Sequence, residues 1–216
     1  MRTVILLALL GASIAACAQQ SPGFGVCKPI SQRTSELGCW IITDSPVGRL
    51  NQPEVFWHLD AYPTRAAAEA AKESGGEVIE ALGKVWLSTI GPRGWHPAHR
   101  GKRVAEIGPL GVMAGKEYSA VYMEAIMTPG MTSSVHSHSG PEAWYTEAGE
   151  TCLETPQGTI VGSAGKAAIV PAGPPMFLTA IGKAKRRSIT LILHDASQPP
   201  TTMVHDWKPK GLCGKQ

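Results

Sequence analysis

A chain of 216 residues has room for one domain with a real core and a small extension, and excludes two full-sized domains. Its 24 glycines, 17 prolines and 17% charged residues point to short strands joined by many turns. The formal net charge of +3 is spread without a long run of one sign, so charge alone names no partner.

The chain opens with Arg2, the apolar stretch Val4 to Leu10 and Gly11-Ala12-Ser13-Ile14-Ala15-Ala16 before Cys17. This reads as an export leader that is too short to span a bilayer. Ile14-Ala15-Ala16-Cys17 resembles a bacterial lipobox, which implies lipidation of Cys17 and a periplasmic or cell-envelope lipoprotein held to the membrane only by that anchor. Ordinary cleavage after Ala18, giving a secreted soluble protein, stays open. Four cysteines remain once Cys17 is set aside: Cys27, Cys39, Cys152 and Cys213, an even number in an oxidising compartment. Of the three possible pairings, Cys27 with Cys39 is the local option and would leave Cys152 to tie down the tail through Cys213. The sequence does not choose between them.

Residues 18–26 read as a tether and 27–100 as an α+β extension. Within it, Glu54 to Asp60 is rich in aromatic and branched residues and suits a strand. Pro63 turns the chain, Thr64 can cap, and the Ala-rich Arg65 to Glu73 predicts a helix stopped by Ser74-Gly75-Gly76. A second strand is expected at Lys84 to Ile90, making a strand-helix-strand unit. Residues 101–196 then change to short extended segments: Arg103 to Ile107, Tyr118 to Met127, Glu142 to Thr146, Thr151 to Glu154, Ala167 to Val170, Phe177 to Ala180 and Ser188 to His194. That spacing indicates an all-β sandwich or barrel. Lys183, Lys185, Arg186 and Arg187 follow Gly182 without interleaved aromatics and read as a solvated hairpin tip, so no nucleic-acid partner is expected. The Pro-rich tail 197–216 is expected to wrap the surface.

The informative stretch is Gly130, five residues, His136-Ser137-His138, three residues, Glu142, six residues, Gly149. It resembles the first motif of the cupin superfamily at every position. Gly165, five residues, Pro171-Ala172-Gly173 resembles the start of the second. Where that second motif continues with a His and an Asn, this chain has Met176 and Ala180. The resemblance implies a mainly β fold, a cupin-type β-barrel (double-stranded β-helix or jelly roll) with the N-terminal extension packed on it, and a homodimer as the assembly.

The residues support a metal site without the family name. Side chains two apart on a strand share a face and lie within about 7 Å, so His136 and His138 can converge, and a turn can bring Glu142 to the same point. Two imidazoles and a carboxylate with open positions suit Fe(II) first, and also Mn, Zn, Ni or Cu. Met176 leaves three readings: a thioether packed beside an open position, a weak fourth ligand for a softer ion, or a pocket that has lost its metal. Trp144 shares the strand face of Glu142 and is expected to line the pocket. Met113, Met123, Met127 and Met131 read as core filling. His58 reads as structural, His96 and His99 sit in a loop that does not favour chelation, and His194 could reach the pocket mouth as a general base. Two functions follow: an exported metalloenzyme, with an O2-dependent dioxygenase as the best reaction class, or a non-catalytic barrel that captures a small molecule.

Overall fold

The structure, a computed structural model, describes residues 24–215. The leader, with Cys17 and its lipobox, lies outside the described residues, as does most of the tether.

Among the described residues, fifteen strands and one short α-helix follow in chain order. They are β1 (Lys28–Pro29), β2 (Gly38–Leu50), β3 (Glu54–Tyr62), α1 (Arg65–Ala71), β4 (Gly76–Ala81), β5 (Lys84–Gly91), β6 (Lys102–Gly111), β7 (Lys116–Met127), β8 (His136–Ser137), β9 (Glu142–Ala148), β10 (Glu150–Thr155), β11 (Gly158–Ser163), β12 (Ala167–Val170), β13 (Phe177–Ile181), β14 (Arg186–Asp195) and β15 (Thr202–Met203). A six-stranded sheet runs β1-β2-β7-β14-β9-β12. Opposite it stand β11-β10-β13 and the pair β15-β8, joined by bridges from Thr132 to Thr179 and from His136 to Met176. Together these form the two walls of a jelly-roll barrel.

A separate four-stranded sheet, β4-β5-β3-β6, packs on the outside of the large sheet. Strand alternation sorts the residues. On β7 and β14, Tyr118, Ala120, Tyr122, Ile126, Ile189, Leu191 and Leu193 join Trp57, Trp86, Ile107 and Leu110 of the outer sheet in the largest apolar cluster. Val121, Met123, Ala125 and Ile192, of opposite parity, face the barrel interior with Cys39. The large sheet is therefore buried on both faces, which is why β7 and β14 read as nearly continuous apolar runs. Helix α1 is capped by Thr64, whose hydroxyl accepts from the Ala67 amide at 3.2 Å, and it lays the small Ala68 and Ala71 against Val78 and Leu87.

The division at residue 100 expected from sequence needs correction. Strand β2 belongs to the barrel, pairing with β7 from Gly38↔Ile126 to Leu50↔Lys116, whereas β6 pairs with β3 in the outer sheet. The extension is thus an insertion between two neighbouring barrel strands. Extended character is local and legible, but the choice of sheet depends on which residues bury together across the chain, here Ile107 and Leu110 beside Trp57. Met113 is likewise not core: it sits 59% exposed in the turn between β6 and β7.

Charged side chains tie the layers together. Glu124 accepts from Arg33 Nη1 at 2.6 Å and from the Leu82 amide. Glu147 on β9 joins Lys84 of the outer sheet at 2.6 Å to Arg187 of β14 at 3.1 Å.

Candidate metal centre and interior cavity

The short strand β8 is held on both sides. His136 exchanges two backbone hydrogen bonds with Met176, at 2.8 and 3.2 Å, and its neighbour on the other side is Met203 of β15. The glycine of the motif at Gly149 has φ of 70°, and a side chain there would meet Lys185 O and the Arg186 backbone within 2.7 Å, so the position admits only glycine.

His136 and His138 each place Nδ1 on a backbone carbonyl, Ser134 O at 2.7 Å and Pro200 O at 2.6 Å. A carbonyl only accepts, so each Nδ1 carries the proton and each Nε2 presents a lone pair. Glu142 accepts from the indole Nε1 of Trp144 at 2.9 Å through Oε1. Its other oxygen, Oε2, lies 3.3 Å from His138 Nε2, yet the two are not aligned as a hydrogen bond, and both are buried without a partner. The ligand atoms of His136, His138 and Glu142 fall within 4.8 Å of one another. Acceptors gathered in this way with their outer hydrogen bonds already made fit a divalent transition metal.

Burial and the mutual proximity of the three groups set their electrostatics. Burial depresses His136 below its ordinary value, with Glu142 opposing. Burial also pushes His138 down, but the charge of the neighbouring Glu142 and the hydrogen bond to Pro200 O outweigh it and the net direction is up. For Glu142, burial pushes upward and is outweighed by His138, His136 and Trp144, leaving the carboxyl below its ordinary value.

Trp144 is 1% exposed and lines the cavity on the side of Glu142. Met176 is fully buried and shares an apolar cluster with Met127, Trp144, Leu153 and Leu178; as the strand partner of His136 it turns to the same interior face. The cavity beside the three ligands is about 250 Å³. One side is closed by the N-terminal segment, where Phe24 N donates to Thr132 O and Cys27 is bridged to Cys39. The other is closed by the tail, which does more than wrap the surface: Pro200, Thr201 and Met203 line the cavity, and β15 pairs with β8. Cys152 is bridged to Cys213, and Glu154 accepts from the amides of Lys210 and Leu212, fixing the tail beyond.

Arg186 departs from the reading of the basic cluster as a solvated tip, a reading that describes Lys183 and Lys185. It is 1% exposed and lines the cavity, because it has the inward parity of Ser188, Thr190 and Ile192 on β14. The signal was that alternation, extended two residues upstream. His194 does not line the cavity; its Nδ1 donates to the carbonyls of Asp195 and Gln198. His58 is fully buried between Pro92 O at 2.9 Å and Arg103 Nη1 at 3.0 Å, and His96 and His99 are exposed.

No protein-family model and no curated protein matches the chain. Among solved structures, it is similar to a cupin-2 domain containing protein from Shewanella frigidimarina (15% identity, 33% of this chain and 68% of that one, TM-score 0.29). It is also similar to a cupin-like protein from Thermotoga maritima (14% identity, 40% and 64%, TM-score 0.35) and to a DMSP lyase from Ruegeria pomeroyi (16% identity, 43% and 45%, TM-score 0.35). The match spans less than two thirds of the length of the last two. At such scores these likenesses carry no argument; the chain's own topology is that of a jelly-roll β-barrel, with the three polar residues of its cupin-like motif gathered at one point.

Proposed function

We propose that this chain is an exported cupin-type protein whose His136, His138 and Glu142 hold a divalent transition metal, Fe(II) foremost, and that it acts on a small molecule in the adjoining cavity as an O2-dependent dioxygenase. The observation that carries the reading is the convergence of ligand atoms within 4.8 Å, with His138 Nε2 and Glu142 Oε2 buried and unpartnered. Such an ion supplies O2 activation or Lewis-acid polarisation through its open positions. The chain supplies the rest. Ser134 O and Pro200 O fix the imidazole tautomers, Trp144 orients the carboxylate, and the N-terminal segment and tail limit water around the reacting molecule.

A second reading, a barrel that binds without turnover, is favoured by Met176, a soft thioether where the second motif has imidazole. Metal analysis after anaerobic reconstitution tests the first part. Near-stoichiometric metal that is lost in His136→Ala and Glu142→Gln is expected; a parent protein without metal would sink the proposal. O2 consumption with phenols, diketones and thiols then separates oxygenase from binder.

A further inference from the structure

Among the described residues Arg186 is the one Lys or Arg in the cavity wall, and its surroundings do not explain it. The guanidinium is 1% exposed. Its Nη1 contacts only the sulfur of Met127, at 3.2 Å, and Nε and Nη2 have no hydrogen-bond partner. No carboxylate lies within ion-pair distance among the described residues, and the charge that acts on it comes from Glu142, which the metal would claim. Burial draws its pKa down to about 10, so it remains charged at neutral pH.

The two free donors are informative as a pair. Nε and Nη2 form one edge of the planar guanidinium, the edge that takes a carboxylate through two parallel hydrogen bonds. Next inward on β14, the Ser188 hydroxyl is fully buried without a partner, and so is Thr146 directly across from it on β9. Apart from Ser133, Thr190 and Thr201, Trp144 and the three ligand residues, the cavity lining is mainly apolar, including Ile41, Val121, Leu178 and Ile192. With a divalent ion on the three ligands, the interior would hold more positive than negative charge, because Glu142 is the only carboxylate among the described cavity-lining residues. A cavity of about 250 Å³ corresponds to roughly eight waters, the volume of a small organic acid.

We propose that the cavity takes a small monocarboxylic acid with an apolar body, its carboxylate seated on the Nε and Nη2 edge of Arg186 and its other end toward His136, His138 and Glu142. This deepens the function proposed above by naming its ligand class, and Arg186 is the specificity-determining residue.

The test is calorimetric titration of the full chain, metal-free and metal-loaded, with butanoate, hexanoate and benzoate and with the three matching amides. At least one acid is expected to bind at least tenfold more tightly than its amide. Arg186→Met should erase that preference while leaving metal stoichiometry unchanged. Arg186→Lys, which keeps the charge but not the fork, should weaken the acid at least tenfold and decides the matter if Arg186→Met does not fold. Equal binding of acids and amides, no binding of any acid, or a preference that survives these substitutions would overturn the proposal. If acids bind through Arg186 in a protein that takes no metal, the ligand class stands and the metalloenzyme reading falls. If metal loads but acids ignore Arg186, only the ligand class falls.

Discussion

The carboxylate of Glu142 accepts one hydrogen bond from Trp144, so under the proposed function the indole orients a ligand as well as packing. Trp144→Phe keeps most of the buried aromatic volume and removes the donor. Metal affinity should fall about 10-fold or more while the fold persists, measured by competition with a chelator, since outer hydrogen bonds to ligands carry effects of that order. His58 gives a second prediction. It is held neutral, donating through Nε2 to Pro92 O and accepting from Arg103 at Nδ1, and burial followed by the charge of Arg103 lowers its pKa below 6.5. The unfolded chain therefore takes up this proton first. The contribution to stability is fully present above about pH 6.5 and declines as pH falls toward the folded value. Urea midpoints at about pH 7.5 and pH 5 should differ less in His58→Gln than in the parent. At this scale the sequence revealed what is local. His136, His138 and Glu142 stand at a spacing that strand and turn geometry can bring together, whereas Arg186 hid in a basic run whose parity is fixed only when the start of β14 is known.

The tail acts as an element because a covalent tie closes it. Cys152 and Cys213 are separated by 61 residues, and opening a loop of that size should cost about 4 kcal/mol on the chain-entropy account. Cys213→Ser should show this loss in urea unfolding and, by freeing Pro200 from His138, should speed metal release. The outer sheet is held mainly by apolar burial. Trp86, 1% exposed in the largest cluster, should cost about 3–5 kcal/mol when replaced by Ala. Glu147→Gln removes ion pairs with Lys84 and Arg187 that are partly exposed, and about 1 kcal/mol or less is expected from the same measurement. The strands of Tyr118 to Met127 and Ser188 to His194 were legible from their apolar runs. Strand β2 was not, since Gly38 to Leu50 carries Asp44, Pro46, Gly48 and Arg49 and finds its place only by pairing with residues about 70 to 90 positions away.

For the whole molecule, the proposed function implies that metal and fold are coupled. An ion that binds the folded barrel and not the unfolded chain adds about 2.7 kcal/mol at one hundred times its Kd, so thermal unfolding should shift upward with metal and lose the shift in His138→Ala. The barrel class was readable because two motifs with their glycines and turns fix its centre. The thickness of the molecule was not, because an insertion between partners leaves no break in the local pattern.

That insertion leaves the barrel at Leu50 and returns at Lys116, residues paired across β2 and β7. Entry and exit therefore stand about one strand spacing apart, roughly 5 Å. A tight turn could bridge them, so the outer sheet is a cassette by connectivity. It is not dispensable by solvation: Tyr122, Ile126, Leu191 and Leu193 would be bared as one apolar sheet face, an adhesive surface of the kind that drives association. The cassette can be exchanged for another cover, and in evolution or by design that is where such a barrel can change its exterior while the opposite face of the same sheet keeps its chemistry.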